Sequence, residues 1–208
     1  MLETIRTHPE GLFLAILYYL GVRRGEALGL KWGDFDFAAD QVHILRDIDF
    51  TGSTSSEGTL KTAAADRFIP VPAVLKEMLL PKREAADAYV FHTPSGAPLP
   101  QASYKRMWSR LMLECGCVEW REVKPGTSRP DDILKQVKPT LTPHYFRHNY
   151  VTLLYESGVD PLIAMKIVGH TDYQTTANIY THLKEETLRR ASVNMEKVFA
   201  KRSEQDAQ

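Results

Sequence analysis

The chain has 208 residues, 43% of them apolar and 25% charged, which are ordinary values for a globular protein with a core of normal size. It contains no run of about 20 apolar residues, no secretory pattern and only two cysteines, Cys115 and Cys117, so we exclude membrane-spanning and disulfide-stapled classes and expect a cytoplasmic protein. The 26 basic and 26 acidic side chains cancel, which gives no sign of a nucleic-acid partner, although phosphate contacts depend on local clusters of cations rather than on totals.

The first half of the chain alternates helical and strand-like patterns. Apolar residues at helical spacing predict helices, and Gly21 is placed to end the first of them, which we expect to be buried. A segment of alternating polarity and a later apolar stretch predict a long β-hairpin, with TGSTSSEGT at 51–59 as its flexible turn. In chain order these elements are helices at 8–22 and 24–30, strands at 41–50 and 60–71, and helices at 73–80 and 101–115.

The last third has clearer start and stop signals. Thr142-Pro143 and Asp160-Pro161 each place an N-cap residue before a proline at the first helical position, and Gly169 follows the second of these helices. Residues 116–140 mix charge, proline and glycine without a period, which predicts a long surface loop. The helices predicted in this part are 143–157, 161–168, 175–182 and 184–201.

These elements predict one domain over residues 1–208. Its fold class is expected to be α+β, mainly α-helical with a small antiparallel β-hairpin or sheet.

Two pairs of polar residues could each place an arginine at an anion-binding site. His144 and Arg147 are three residues apart on a predicted helix, so they can hold one phosphate together, although a capping histidine and a solvated arginine fit the same spacing. A buried Glu26 would orient Arg23 toward an anion, whereas an exposed pair would be a surface ion pair of little energetic value. Of the two adjacent arginines, Arg24 is the one expected at the surface.

Four motifs follow one another along the chain: GVRRGE at 21–26, LKT at 60–62, HYFRH at 144–148 and GHTDYQTTANIYTH at 169–182. In this order they resemble the catalytic domain of the tyrosine recombinase, or phage integrase, family, over about residues 8–185. The resemblance implies the catalytic-domain fold of that family and six catalytic residues: Arg23, Lys61, His144, Arg147, His170 and Tyr180. Lys31 and Lys76 lie near enough to be alternatives to Lys61, whose flank LKTAAADRFIPVP resembles the lysine strand of the family.

The resemblance also implies a mechanism, in which the Tyr180 phenolate attacks a DNA phosphate, forms a 3′-phosphotyrosyl link and releases a 5′-hydroxyl. Arg23 and Arg147 would clamp the phosphate, because two guanidinium forks match the geometry of its oxygens. Lys61 would protonate the leaving oxygen. Such a reaction needs no metal, ATP or other cofactor, and the sequence has no Walker glycine loop.

The remaining roles are implied in the same way. His144 would assist proton transfer at the tyrosine, His170 would bind or orient the phosphate, and Glu26 would support Arg23. The implied function is site-specific recombination that serves integration and excision of a phage or other mobile element. Its partner would be a double-stranded DNA recombination site, with no membrane involved.

The resemblance extends to assembly. Family members carry N-terminal core-binding and arm-binding domains, for which residues 1–208 leave no room, so we expect a piece that is monomeric alone and tetrameric on DNA in its full-length form. The tail at 184–208 would pack on its own domain or on a neighbouring protomer. Two other functions fit the motifs: a type IB topoisomerase, which shares the chemistry, and a DNA-binding module that has lost catalysis.

Overall fold

The computed structural model describes residues 1–51, 54–58, 66–120, 133–134 and 136–205. The helices are α1 (Leu2–Thr7), α2 (Gly11–Leu20), α3 (Arg24–Gly29), α4 (Ala73–Leu79), α5 (Gln101–Glu114), α6 (Pro143–Glu156), α7 (Pro161–Val168) and α8 (Tyr173–Gln205). The strands are β1 (Phe35–Asp36), β2 (Gln41–Ile44), β3 (Asp47–Thr51), β4 (Thr54–Gly58), β5 (Arg67–Pro70), β6 (Val118–Trp120) and β7 (Val137–Pro139). The predicted class is confirmed, because small antiparallel sheets accompany a mainly helical chain. In these ranges no helix combines the length and the apolar character needed to cross a membrane.

Helix α2 forms the centre of the core. Its sequence, GLFLAILYYL, is apolar on every side, and a helix of this kind has to be surrounded by protein. The ring of Phe13 is fully buried and packs edge-on against Phe91, Tyr104 and Trp108 at centroid distances of 5.2, 5.9 and 6.3 Å. The buried first helix and the apolar stripe of α5 are therefore confirmed. The short helix α1, which precedes them, was not predicted.

Helix α2 ends at Gly21, as the sequence predicts. This glycine adopts φ 60° and ψ 22°, and its N–H donates to the carbonyl of Leu17. A Cβ at this position would lie 2.2 Å from Cδ1 of Tyr150. Both the left-handed backbone and the close approach of Tyr150 therefore require glycine.

We expect Gly21→Ala to destabilise the fold more than Gly158→Ala. Gly158 has φ +73° but nothing within 4 Å of its ideal Cβ, so alanine there should cost only the strain of the left-handed backbone, about 1–2 kcal/mol. At Gly21 the clash with Tyr150 adds an overpacking cost of about 1–3 kcal/mol. Urea unfolding of both variants measures the difference, and equal losses would contradict the steric argument.

In place of the predicted single hairpin, the described residues form a three-stranded antiparallel sheet and a separate antiparallel pair. Strand β2 pairs with β5 along its whole length, and β1 extends this sheet on the other side of β2. Strand β3 pairs with β4, so the prediction of a flexible turn was wrong for Thr54–Gly58. Pairing with β3, whose Ile48 is fully buried, outweighs the weak strand propensity of serine. Residues 59–65, including Lys61, lie outside the described residues.

The prediction of a surface loop over 116–140 was wrong at both ends. Strands β6 and β7 form an antiparallel pair, which satisfies backbone groups that an irregular loop would leave to solvent. Val137 is 3% exposed, so β7 also contributes apolar surface to the interior. Residues 121–132 and 135 lie outside the described ranges.

The last three helices enclose a second, smaller core. Helix α7 begins as predicted, with the Asp160 carboxylate accepting hydrogen bonds from the backbone of Leu162 and Ile163. Thr142 is the N-cap residue of α6, but its side chain makes no capping hydrogen bond. Helix α8 is continuous, so the predicted separation into helices at 175–182 and 184–201 was wrong; the segment contains no glycine or proline that would end a helix. The small core consists of Val151, Ala164, Val168 and Tyr180.

Candidate active site

A cavity of about 230 Å³ lies where α3, α6 and the start of α8 meet. Four of the six residues implied by the family resemblance contribute to its wall: Arg23, His144, Arg147 and His170. The other lining residues are His148, Val151, Thr171 and Thr175. Among the described residues this lining contains two arginines and no carboxylate, so the cavity suits an anion.

Glu26 lies beneath the cavity and holds two arginines. It is 1% exposed and accepts hydrogen bonds from both Nη atoms of Arg67 at 3.0 and 2.8 Å. Arg23 contributes one backbone and one side-chain hydrogen bond to Glu26, each 2.8 Å long. Burial raises the pKa of the Glu26 carboxyl, but the hydrogen bonds and charges of Arg67 and Arg23 outweigh burial and lower this pKa to about 2. Glu26 is thus an ionised internal anchor, and the alternative of a surface ion pair is wrong.

The two arginines of the cavity are also fixed by glycine carbonyls. Nη2 of Arg23 donates to the carbonyl of Gly169 at 2.9 Å, and Nη1 of Arg147 donates to the carbonyl of Gly21 at 3.1 Å. Both glycines end helices in the left-handed conformation. Helix C-termini carry partial negative charge, so these contacts orient the guanidinium groups and offset part of their charge.

Arg147 carries a side-chain donor that has no acceptor within the described part of the chain. Its residue exposure is 3%, and among the described residues Nη2 has no hydrogen-bond partner. Burial, and then the charge of Arg23, lower the pKa of Arg147 to about 9. A buried unsatisfied donor on a charged group costs on the order of 1–3 kcal/mol or more, and an anion in the cavity would remove that cost.

His170 and His144 are neutral near pH 7. Burial, followed by the charges of Arg147 and Arg23, lowers the pKa of His170 to about 4. Burial and the neighbouring His148 lower the pKa of His144, and the rings of this pair stand perpendicular at a centroid distance of 4.5 Å. The arginines therefore supply positive charge to the cavity, and His144 and His170 act as hydrogen-bonding groups.

The side chain of Tyr180 is not part of the cavity wall. Its hydroxyl donates to the carbonyl of Val159 at 3.1 Å, and its ring packs edge-on against Tyr155 at 5.1 Å. Burial, and then the charge of Asp160, raise the pKa of the Tyr180 hydroxyl. The structure thus brings Arg23, His144, Arg147 and His170 together without Tyr180, and Lys61 lies outside the described residues.

Besides the other lining residues of the cavity, the sequence analysis did not propose Arg67, Thr176 or Arg24 as site residues. Arg67 points inward beside Ile69 on β5, a position that strand alternation alone would assign to an apolar side chain. Thr176 is fully buried and bonds to His170. Arg24 is exposed, as expected, but its guanidinium lies over the rings of Phe50 and Tyr104 at 4.8 and 5.5 Å.

Comparisons with known proteins agree with the motifs. The profile of the Phage integrase family matches residues 2–187. A tyrosine recombinase XerC-like protein of Caldanaerobacter subterraneus subsp. tengcongensis is 25% identical over 87% of this chain and 47% of its own length. The integrase of Staphylococcus phage L54a is 26% identical over 86% of this chain and 49% of its own. The chain thus spans about half the length of the curated relatives it matches.

Solved structures show the same fold. The Tn1549 transposon integrase in complex with circular intermediate DNA has a TM-score of 0.64 and 21% identity, over 90% of this chain and 63% of that one. The XerH recombinase in a post-cleavage complex with a palindromic difH substrate has a TM-score of 0.56 and 25% identity, over 90% of this chain and 46% of that one. With the family profile covering nearly the whole sequence, these similarities show that the chain belongs to the phage integrase family.

Proposed function

We propose that this chain is the catalytic domain of a tyrosine site-specific recombinase, which cleaves and rejoins DNA strands for integration and excision of a phage or other mobile element. The observation that carries the proposal is the donor on Arg147 that has no partner among the described residues, in an anion-suited cavity shared with Arg23 and two histidines. The relatives named as recombinases and integrases support it.

In the proposed reaction a scissile phosphate occupies the cavity, where Arg23 and Arg147 bind its non-bridging oxygens as they gain charge. His144 is the candidate acceptor of the Tyr180 proton. The Tyr180 oxygen then attacks phosphorus, the bond to the 5′-oxygen breaks as that oxygen gains a proton, and a 3′-phosphotyrosyl link remains. Attack requires the Tyr180 hydroxyl to leave the carbonyl of Val159, where its raised pKa keeps it protonated. Reversal by a second 5′-hydroxyl would rejoin the strands without ATP or metal.

Lys61 is our candidate for the general acid that protonates the leaving 5′-oxygen. Lys61→Ala should slow cleavage by about 10²–10⁴-fold, the usual contribution of a positioned acid. A substrate with 5′-bridging sulfur needs no such proton, because a thiolate leaves readily, and should largely restore the rate of the variant. An equal loss with sulfur and oxygen would remove Lys61 from this role, and Lys76→Ala is the matched control.

We propose that duplex DNA crosses the cavity and contacts Arg24. This side chain is stacked on two rings and lines a neighbouring cavity of about 460 Å³ together with Arg23 and Arg147, although Asp47 and Asp49 also contribute to the wall. Its fixed, exposed guanidinium is suited to a backbone phosphate.

For Arg24→Gln we expect weaker binding to a mixed-sequence duplex and a fall of about 0.9 in the slope of log K against log salt, the loss of one phosphate contact. Arg83→Gln is the control, because Arg83 also stacks on a ring, that of Phe37 at 5.4 Å, but lines a different cavity. Titrations by fluorescence anisotropy measure both slopes. If both variants keep the original slope, Arg24 does not contact the backbone.

The test of the proposed function is a covalent protein–DNA adduct on a nicked suicide substrate that carries the recombination site. Nicking lets the 5′-hydroxyl fragment diffuse away, so the adduct accumulates. The absence of any adduct would favour a DNA-binding module without catalysis. A two-site recombination assay beside a supercoil relaxation assay separates a recombinase from a type IB topoisomerase.

The oligomeric state of the protein and its location in the cell are also proposals. We propose a homotetramer on DNA for the full-length protein, in the cytoplasm, and a monomer for the isolated chain. Residues 184–208 would then pack either in cis or on a neighbouring protomer. Sedimentation of the chain with and without these residues, in the presence and absence of DNA, distinguishes the two arrangements.

A further inference from the structure

Thr176 makes a buried contact with one of the cavity histidines. It lies in the first turns of α8, is fully buried, and places Oγ1 2.8 Å from Nδ1 of His170. We propose that Thr176 is a positioning residue that holds His170 as the tautomer with hydrogen on Nε2, so that Nε2–H donates to a phosphate in the cavity. This inference rests on the proposed function for the identity of the anion.

The direction of this hydrogen bond follows from counting acceptors. A threonine in a helix commonly donates to the carbonyl four residues earlier, as Thr152 and Thr187 do at 3.2 and 2.8 Å. Thr176 makes no such bond, and in the described part of the chain Nδ1 of His170 is the one acceptor for its hydroxyl hydrogen. A protonated Nδ1 would leave that buried hydrogen unsatisfied, which is costly. Thr176 therefore donates, and Nδ1 accepts.

The other ring nitrogen of His170, Nε2, is then available to bond an anion in the cavity. His170 carries one ring hydrogen near pH 7 because it is neutral there, and with Nδ1 accepting, that hydrogen must be on Nε2. A donor at this position adds to Nη2 of Arg147, which has no acceptor among the residues that the structure describes. The other tautomer would direct a lone pair at the phosphate oxygens. Thr176 thus determines whether His170 attracts or repels the anion.

The tautomer can be measured without DNA. Imidazole ¹⁵N–¹H correlation spectra of the chain at pH 7.5 should show His170 with hydrogen on Nε2. Thr176→Val keeps the side-chain shape but removes the donor, so we expect His170 to shift toward the Nδ1–H form, and Thr176→Ser should restore the original pattern. His8 is an internal reference, because its Nδ1 accepts from the backbone N–H of Glu10 at 3.0 Å and should be unchanged in every variant.

Two outcomes overturn the inference: Nδ1–H on His170 in the unchanged chain, or an unchanged tautomer in Thr176→Val. The first needs no variant, so the inference stays testable even if Thr176→Val fails to fold. The dispersion of the backbone amide signals in the same sample shows whether the variant is folded.

A functional measurement separates positioning from a purely structural role. On the nicked substrate we expect Thr176→Val to slow adduct formation by about 10–100-fold, the size typical of groups that orient a functional side chain, with Thr176→Ser close to the unchanged rate. In a His170→Gln background Thr176→Val should add little, because the two residues act as a unit. Equal losses in both backgrounds would overturn the inference. If the unchanged chain forms no adduct, the proposed function fails, and the spectra still decide the role of Thr176.

Discussion

A Tyr180→Phe variant is expected to bind duplex DNA as the unchanged chain does while forming no covalent adduct with it. Phenylalanine keeps the ring that packs against Tyr155 but has no oxygen to attack phosphorus. The loss of the adduct should be complete rather than partial. Water does not take part in the proposed strand transfer, so no other group replaces the missing nucleophile. Denaturing gels of the nicked substrate measure the adduct, and anisotropy measures binding.

Folding of this variant should be nearly intact. Phenylalanine loses the hydrogen bond from the Tyr180 hydroxyl to Val159, which is worth about 0.5–1.5 kcal/mol. Tyr155→Phe and Tyr173→Phe are matched controls, since both tyrosines lie near the motifs, and both should still form the adduct. Covalent trapping by Tyr180→Phe at the rate of the unchanged chain would remove Tyr180 as the nucleophile.

Glu26→Gln is expected to destabilise the protein by about 3–5 kcal/mol, the cost of breaking a buried ion pair from one side. The substitution removes the charge that holds Arg67, whose side chain is 5% exposed, and also releases Arg23 from its anchor. Glu10→Gln is the control, because Glu10 pairs with Arg110 where both side chains are partly exposed, and it should cost less than about 1 kcal/mol. Urea unfolding at pH 7 compares the two, and similar losses would contradict the anchor role.

The effect of Glu26 should also depend on pH. The folded pKa of about 2 lies below the ordinary value of 4.5, so the unfolded chain takes up a proton first as the pH falls. The stability that the carboxylate contributes is complete above pH 4.5 and is lost as the pH falls toward 2. The difference in unfolding free energy between the unchanged chain and Glu26→Gln should therefore narrow over this window, and a constant difference would show that ionisation is not the cause.

Local signals in the sequence predicted much of the fold. The caps at Asp160 and Gly21 and the stripe on α5 depend on residues close together in the chain, and the structure has all three where they were expected. Strand β4 could not be predicted in this way, because serine and glutamate form a strand there only through pairing with β3. The sequence analysis missed the continuity of α8 because it divided this segment into two apolar patterns. No residue between the two patterns ends a helix.

The site residues, like the elements of the fold, were predictable where local motifs mark them. Arg23, His144, Arg147 and His170 came from motifs, and the fold brings them to one cavity. The pairing of Glu26 with Arg67 joins residues 41 positions apart and has no local signature. The position of Tyr180 against Val159 depends on the packing of α6, α7 and α8, which spacing along the chain does not encode.

The central claim is that Tyr180 is the nucleophile of a site whose phosphate is held by Arg23 and Arg147. The most direct test is to isolate the covalent adduct formed by the unchanged chain, digest it, and map the peptide that carries the nucleotide by mass spectrometry. We predict a 3′-phosphotyrosyl link on Tyr180. A nucleotide on Tyr155, on Tyr173 or on any other side chain would contradict the claim.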